Sequence, residues 1–283
     1  KVKHLPESTV RRLGIFAHGE EMVSVHRDEP IFDGALSNRC YQEAVKTAFL
    51  DFQRRAKKQG RYDPKKDEIL TEQWVRIIMH LPYAFQGKRM FPDVFRHDRR
   101  EKPIWDELVT EIGPEPRYVD FEDTPEGEIE YDKAQDAFRR AISKTAAYQE
   151  FHAASIEKGQ RASSLIGNQY TGSIFLAMMS TFESDYEDNS LLEGKYFGMC
   201  GYGSGAKAKV FEGLVSPKWR EVVASWNLFE RLAGRQAIDK MTYESLHKGI
   251  LSESVLEPSG EFALVEIESE GVREGARTYS WMG

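Results

Sequence analysis

Residues 166–180, IGNQYTGSIFLAMMS, constrain the fold more than any other stretch. A turn bearing glycine and asparagine runs straight into an unbroken apolar segment. A helix start needs only one capping side chain, and this turn carries several more polar groups than a cap requires. The apolar part is the beginning of a buried helix, which leaves open what the additional polar groups of the turn ahead of it serve.

The remaining segments alternate between strand and helix patterns. RLGIFAHGEEMVSVH (12–26) reads as short strands with a turn at Gly19, and 28–37 as a loop punctuated by Pro30 and Gly34. Ser37 can cap the next helix, which shows Tyr41, Ala44, Val45, Ala48 and Phe49 at helical spacing and frays into a basic segment. EQWVRIIMH (72–80) ends in a β-branched, apolar run and reads as a buried strand, stopped at His80 because Pro82 cannot continue a sheet. Residues 88–102 are basic and 103–136 acidic, with Pro103, Pro114, Pro116 and Pro125, so about 90–160 reads as a long, partly ordered, charged excursion that ends in one helix over 131–155. GKYFGMCGYGSGAKAKVFEGLV (194–215) reads as two strands joined by a glycine-rich turn, SPKWREVVASWNLFERLAGR as an amphipathic helix, and GEFALVEIES (260–269) as a terminal strand. Buried strands mixed with amphipathic helices argue α/β.

Bulk properties narrow the classes. A length of 283 residues allows one large domain or two modest ones. The net charge of −7 argues against general nucleic-acid binding, so any phosphate site must be local. Two cysteines, Cys40 and Cys200, cannot build a disulfide framework, which points to a reducing, cytoplasmic setting. No apolar run is long enough to span a bilayer and no signal peptide is visible, so no membrane partner is expected. The chain starts at Lys1, which leads us to expect a piece of a longer protein.

Three places can carry chemistry. His80 follows an apolar strand, where ligands bind in open α/β sheets; a histidine there is either a donor or acid/base group, or a core residue bonded to a carbonyl. Asn168, with Tyr170 and the flexible Gly167 and Gly172, offers a neutral amide donor for a thioester or oxyanion oxygen, or else a helix cap. GYGSGA (201–206) loosely matches a dinucleotide fingerprint, but KAKVFEGLV after it is a strand where that site needs a helix. The turn is left as a tight hairpin, or as one aiming backbone N–H groups at an oxyanion with Ser204 at its tip. Cys40, in the first turn of its helix, could pair with His80 as a thiol nucleophile, or could be a small buried hydrophobe; Cys200 reads as core. No Cys/His cluster has metal-ligand spacing, so no metal is expected.

Taken together, PIFDGALSNRCY (30–41), IIMHLPY (77–83), GNQYTGS (167–173) and GYGSGA (201–206) occur in the order found in hydroxymethylglutaryl-CoA synthases, and 216–247 and 260–268 resemble bacterial members. The resemblance covers the C-terminal half of that family. It implies half of the layered αβαβα thiolase fold and a condensation of acetyl-CoA with acetoacetyl-CoA, or β-branching on an acetoacetyl carrier protein, with no cofactor. It also implies a place in the mevalonate route to isoprenoids. By motif, His80 polarises the acetoacetyl group and Asn168 holds its thioester oxygen. Ser204, Gly203 and Gly205 supply donors around the acyl group, Asp33 supports the site, and Tyr83 and Tyr170 shape the pocket. Where the family often has a lysine this chain has Phe85, with Lys88 and Arg89 following to take over the CoA contact. The family's nucleophilic cysteine and glutamate base lie in its N-terminal half and have no matching motif here. The chain is therefore expected to need an N-terminal half or companion subunit, not to be a stable monomer, and to form a homodimer of the assembled unit. A non-catalytic acyl-CoA-binding or docking subunit is the competing expectation.

Overall fold

The computed structural model describes residues 33–66, 68–203 and 205–283. The strands read in 12–26 lie outside the described residues. The chain divides into two units, one through Phe229 and one from Glu230.

Helix α1 (Gly34–Lys58) opens the described chain. It buries Tyr41, Val45, Phe49 and Ala56 along one face, as the apolar spacing requires. Its cap is Asp33, whose carboxylate accepts the Leu36 N–H at 2.9 Å, not Ser37. The apolar period becomes visible only at Tyr41, so the sequence hides the first two turns. Cys40 is consequently in the second turn, beyond the strongest part of the helix dipole. Arg55, Lys57 and Lys58 sit at the helix C-terminus, where cations are favoured.

A three-stranded sheet carries the core. Strand β1 (Trp74–Met79) pairs in parallel with β2 (Tyr196–Gly203), which pairs antiparallel with β3 (Lys207–Leu214). β2 is therefore central, and its in-register partners bring Met79 beside Cys200. The strand after 201–206 excludes the dinucleotide reading by observation as well as by pattern.

The long parallel crossover between β1 and β2 is helical throughout most of its length. It comprises α2 (Gln86–Met90), α3 (Pro92–Arg99), α4 (Pro103–Ile112), α5 (Pro125–Ile142), α6 (Ala146–Ser155), α7 (Gln160–Ile166) and α8 (Ser173–Glu187). Pro92, Pro103 and Pro125 each stand at a helix start, where the missing N–H is no loss. Of the prolines that suggested a loose excursion, Pro103 and Pro125 are initiators, whereas Pro114 and Pro116 stand in the irregular segment after α4. The reading of a solvated insertion fails for α3, where Asp93, Arg96, Asp98 and Arg99 are all buried. The Asp98 carboxylate accepts the N–H groups of Leu70 and Thr71 at 3.2 and 2.7 Å. Arg99 donates to Thr71 and Glu72 and stacks on Phe95. Arg96 faces Asp93 at 2.9 Å and donates to Gln135 at 2.7 Å. These cations are committed inside the fold and are not a surface phosphate grip.

Two other expected helices are interrupted. The helix over 131–155 breaks at Ser143 and Lys144, because Thr145 caps α6 through the Tyr148 N–H. The segment 216–235 holds two short helices, α9 (Trp219–Val223) and α10 (Leu228–Ala233). Asn227 lies between them with φ +50°, and the Glu183 carboxylate accepts the N–H groups of Leu228 and Phe229, both at 2.9 Å. That capping carboxylate is some 45 residues away in sequence, out of reach of a local pattern.

In the second unit, α11 (Lys240–His247) is capped by Asp239. The expected terminal strand is one arm of a hairpin, β4 (Glu261–Ile267) antiparallel to β5 (Arg277–Met282). No helix among the described residues is long and apolar enough to cross a membrane.

Candidate active site

The end of β1 delivers His80. Its N–H donates to Cys200 O at 3.0 Å, extending the β1–β2 ladder by one residue. Its carbonyl accepts the Tyr41 hydroxyl at 2.8 Å. Its ring Nδ1 lies 2.6 Å from Ser173 Oγ, and Ser173 Oγ also accepts the Leu81 N–H at 3.1 Å. Backbone and ring are thus fixed from three elements: α1, β2 and the first residue of α8. The rings of Tyr41 and Tyr202, 4.6 Å from each other, lie together beside the imidazole at 6.4 and 6.3 Å. His80 is 8 % exposed. Burial lowers its pKa from the ordinary histidine value, and the positive end of the α8 dipole disfavours a cation there too. The imidazole is neutral at pH 7, with Nε2 left for a ligand. Such a group donates a hydrogen bond to a carbonyl oxygen without supplying net charge.

The opening turn leads to this residue. Gly167 ends α7 with φ +88°, a conformation glycine adopts without strain. Asn168 Oδ1 accepts the Tyr170 N–H at 2.7 Å, closing an Asx turn, and a single 3₁₀ turn (Tyr170–Gly172) hands over to Ser173. Asn168 does not cap α8; that place belongs to Gly172. With its oxygen engaged, the exposed Asn168 side chain retains its NH₂ as donor. Tyr170 is 78 % exposed and has φ +47°.

The other expected residues separate. Asp33 is engaged in capping α1. Tyr83 is half-buried, accepts from Arg89 at 3.3 Å, and lies within electrostatic reach of Tyr41. Lys88 lies within reach of the buried His152, whose pKa is lowered chiefly by burial. Gly203 and Gly205 flank the exposed β2–β3 turn, where Gly203 pairs with Lys207; Ser204 lies outside the described residues. Phe85 is 64 % exposed. The Cys40–His80 nucleophile does not form: among the described residues no bond joins them, and the ring nitrogen facing the protein is held by Ser173. Cys200 is fully buried, with burial pushing its thiol up to about 12, as expected of a core residue. No group of three or more His, Cys, Asp or Glu side chains among the described residues could hold a metal ion.

Residues 23–251 match the family described as hydroxymethylglutaryl-coenzyme A synthase C terminal. The chain belongs to that family. Among this synthase family's curated members, the hydroxymethylglutaryl-CoA synthase of Haloferax volcanii is 29% identical over 239 residues, covering 82% of this chain and 51% of its own length. That of Saccharomyces cerevisiae is 22% identical over 219 residues, covering 76% and 42%. The chain spans about half the length of the curated synthases it matches. Among solved structures, MvaS in complex with 3-hydroxy-3-methylglutaryl coenzyme A superposes with a TM-score of 0.65 at 27% identity, over 92% of this chain and 54% of that one. The curacin-pathway HMG synthase in complex with holo donor-ACP gives 0.59 at 18% identity, over 94% and 55%, a likeness of fold. The fold is thiolase-like, as the motifs implied. Within this synthase half, sequence reasoning missed Ser173, Tyr41 and Tyr202. All three stood inside the quoted motifs, GNQYTGS, LSNRCY and GYGSGA, but only the fold shows that they converge on His80.

Proposed function

We propose that this chain is the C-terminal half of a hydroxymethylglutaryl-CoA synthase and supplies the acceptor side of the condensation. The observation that carries this is His80, buried, neutral, fixed through both backbone and ring, with Nε2 available to a ligand. In this reading His80 binds the ketone oxygen of an acetoacetyl thioester and stabilises the alkoxide that develops there. The Asn168 amide holds the thioester oxygen, and backbone donors of the Gly203–Gly205 turn, with Ser204, surround the acyl group. Tyr83 and Tyr170 line the pocket, and Asp33 supports it by fixing the start of α1. The acetylated cysteine and the glutamate base come from an N-terminal half, which docks on exposed apolar side chains such as Leu165, Tyr170 and Phe175 around the start of α8 and buries ~2,000 Å² or more. The setting is cytoplasmic, the assembled unit is a homodimer, and no cofactor takes part.

A specific observation favours a carrier-protein substrate as the second reading. Phe85 stands exposed where the family often places a CoA-binding lysine, so the phosphate contact falls to Lys88 and Arg89. The two readings share the same carbon–carbon bond formation. The test is CoA release by the protein assembled with its N-terminal half, from acetyl-CoA with either acetoacetyl-CoA or acetoacetyl carrier protein. His80→Ala is expected to lower turnover by about 10²–10³-fold. Undiminished turnover in that variant, or no release from either substrate pair, overturns the proposal.

A further inference from the structure

We propose that Ser173 is a positioning residue that holds His80 in the single tautomer with its proton on Nε2, so that the imidazole works as a hydrogen-bond donor and not as a base. The inference rests on the reading of His80 as the group that meets the substrate carbonyl, and it adds which nitrogen carries the proton and why.

The argument is an account of one hydroxyl. A serine oxygen has one proton to give and two lone pairs. Ser173 is completely buried, so water does not complete its bonding. The Leu81 N–H occupies one lone pair at 3.1 Å, and His80 Nδ1 at 2.6 Å is the other partner. If Nδ1 carried the proton it would fill the second lone pair and leave the buried serine proton with no acceptor among the described residues, which is unfavourable in a dry interior. If Ser173 donates to Nδ1, every group in the set is satisfied. The short separation agrees, since hydroxyl donors approach more closely than ring N–H donors, whose usual distance is about 2.9–3.0 Å. The direction is set by the backbone: Leu81 N–H can only donate, so the hydroxyl it binds is pointed onward to the ring.

Among the described residues no anion competes for the imidazole, whose pKa is lowered by burial alone. The side chains facing the imidazole from the packed elements are Tyr41 on α1, Tyr202 on β2 and Ser173 on α8. Both tyrosines are held above their ordinary pKa, mainly by burial, and stay neutral. A carboxylate on Nδ1 would make a strong base of the ring; a serine hydroxyl makes a weak one. The same bond ties the end of β1 to the first turn of α8. The turn carrying Asn168 is therefore placed relative to His80 by one side chain.

The experiment is a two-bond proton–nitrogen correlation spectrum of the full chain labelled at histidine nitrogens, with His80 assigned by its loss in His80→Ala. It needs no companion half. The expected result is a His80 signal of the Nε2–H tautomer alone at pH 7. In Ser173→Ala the ratio of the two tautomers is expected to fall by about three- to tenfold, and Ser173→Thr, which keeps the hydroxyl, is expected to restore it. A wild-type His80 with its proton on Nδ1, or a Ser173→Ala variant with an unchanged tautomer ratio, overturns the inference. Should the variants fail to fold, the wild-type spectrum alone decides. Failure of the proposed function is read separately, as undiminished turnover by assembled His80→Ala whatever its tautomer.

Discussion

The sharpest test of the architecture that presents His80 is a single methyl group on β2. A Cβ built on Gly198 falls 2.3, 2.5 and 2.6 Å from Cε3, Cδ2 and Cζ3 of Trp74. Ordinary contact begins near 3.4 Å, so the indole or the strand must yield by roughly 1 Å. The indole has little room. It is 2 % exposed, its Nε1–H donates to Glu212 at 3.1 Å, and Phe49 and Phe52 close on it at 6.2 and 5.5 Å. The strand is no freer, since Gly198 pairs with Ile77 on one side and Glu212 on the other. Overpacking a core usually costs about 1–3 kcal/mol, and with neighbours fixed on both sides Gly198→Ala belongs at the upper end, ~3 kcal/mol. For a unit of this size that lowers Tm by roughly 6–12 °C. The control is Gly201→Ala, three residues along the same strand, where the added Cβ meets only Ile174 Cδ1 at 3.7 Å and Lys209 O at 3.8 Å. Its effect is expected to be within about 1 kcal/mol of zero, because the smaller entropy of the unfolded chain favours alanine. Thermal melts of the two variants beside the parent decide the matter. Truncating the ring in Gly198→Ala/Trp74→Leu is expected to show coupling, with the alanine costing less than it does alone. Equal melting of Gly198→Ala and Gly201→Ala would refute the β1–β2 register on which the position of His80 depends.

Other consequences are more direct. Tyr41→Phe deletes the buried hydroxyl bonded to His80 O and is expected to cost about 1 kcal/mol in urea denaturation. Asp185 is fully buried and accepts from Arg76 at 2.6 and 2.8 Å, Lys158 at 2.5 Å and Ser190 at 2.8 Å. Asp185→Ala leaves Arg76 without its paired anion and is expected to cost about 3–5 kcal/mol by the same assay. Burial pulls the Asp185 carboxyl upward, but the bonds from Arg76, Lys158 and Ser190 together hold it below its ordinary value. Its contribution to stability is therefore full above the unfolded carboxylate range and fades as the pH falls through the lower folded value. His97 acts in the same direction from a different cause. Burial, then the charges of Arg100, Arg96 and Lys46, pushes it down to about 3, so between roughly pH 6.5 and 3 the unfolded chain binds a proton that the folded chain does not. His80 and His152, also lowered by burial, add to this. The urea midpoint is expected to fall steadily as the pH drops below 6.5, and a midpoint unchanged between pH 7.5 and 5 would contradict all three assignments.

What the sequence makes legible is local and periodic. The apolar run before His80 identifies β1, the alternation around the glycines identifies the β2–β3 hairpin, and Tyr41, Val45 and Phe49 identify α1. What it hides depends on partners far along the chain. Pro103 and Pro125 read as breaks because a proline that ends a helix and one that begins it look alike without the neighbouring turn. Arg96 and Arg99 read only as part of a charged excursion because their buried partners, among them Gln135 and Thr71, are 39 and 28 residues away. The break at Asn227 follows from Glu183, and no window over 216–235 contains it. The site shows the same division. His80 and Asn168 stand out by motif, whereas Ser173 and Tyr41 look like helix residues until the fold brings them to the ring from 93 and 39 residues away.

The donors that the proposed reading assigns to the acceptor site are all neutral, and that limits what they can do by themselves. The His80 imidazole is uncharged, the Asn168 amide is uncharged, and the β2–β3 turn offers backbone N–H groups. Neutral donors stabilise an oxygen that is becoming an anion; they do not generate a carbanion, which needs a base placed at the methyl group. Among the described residues, the other ionisable groups near the ring are phenols and thiols: Tyr41 and Tyr202 are held above their usual pKa chiefly by burial, as is Cys200, and Cys40 makes no bond to the imidazole. A site built this way receives negative charge and does not start the reaction. In the function proposed above, the base and the nucleophile are supplied by an N-terminal half. The chain spans about half the length of the curated synthases it matches, and the proposed reading gives it the acceptor side of the condensation. For that reason adding the second half, and not raising the pH, is expected to switch CoA release on.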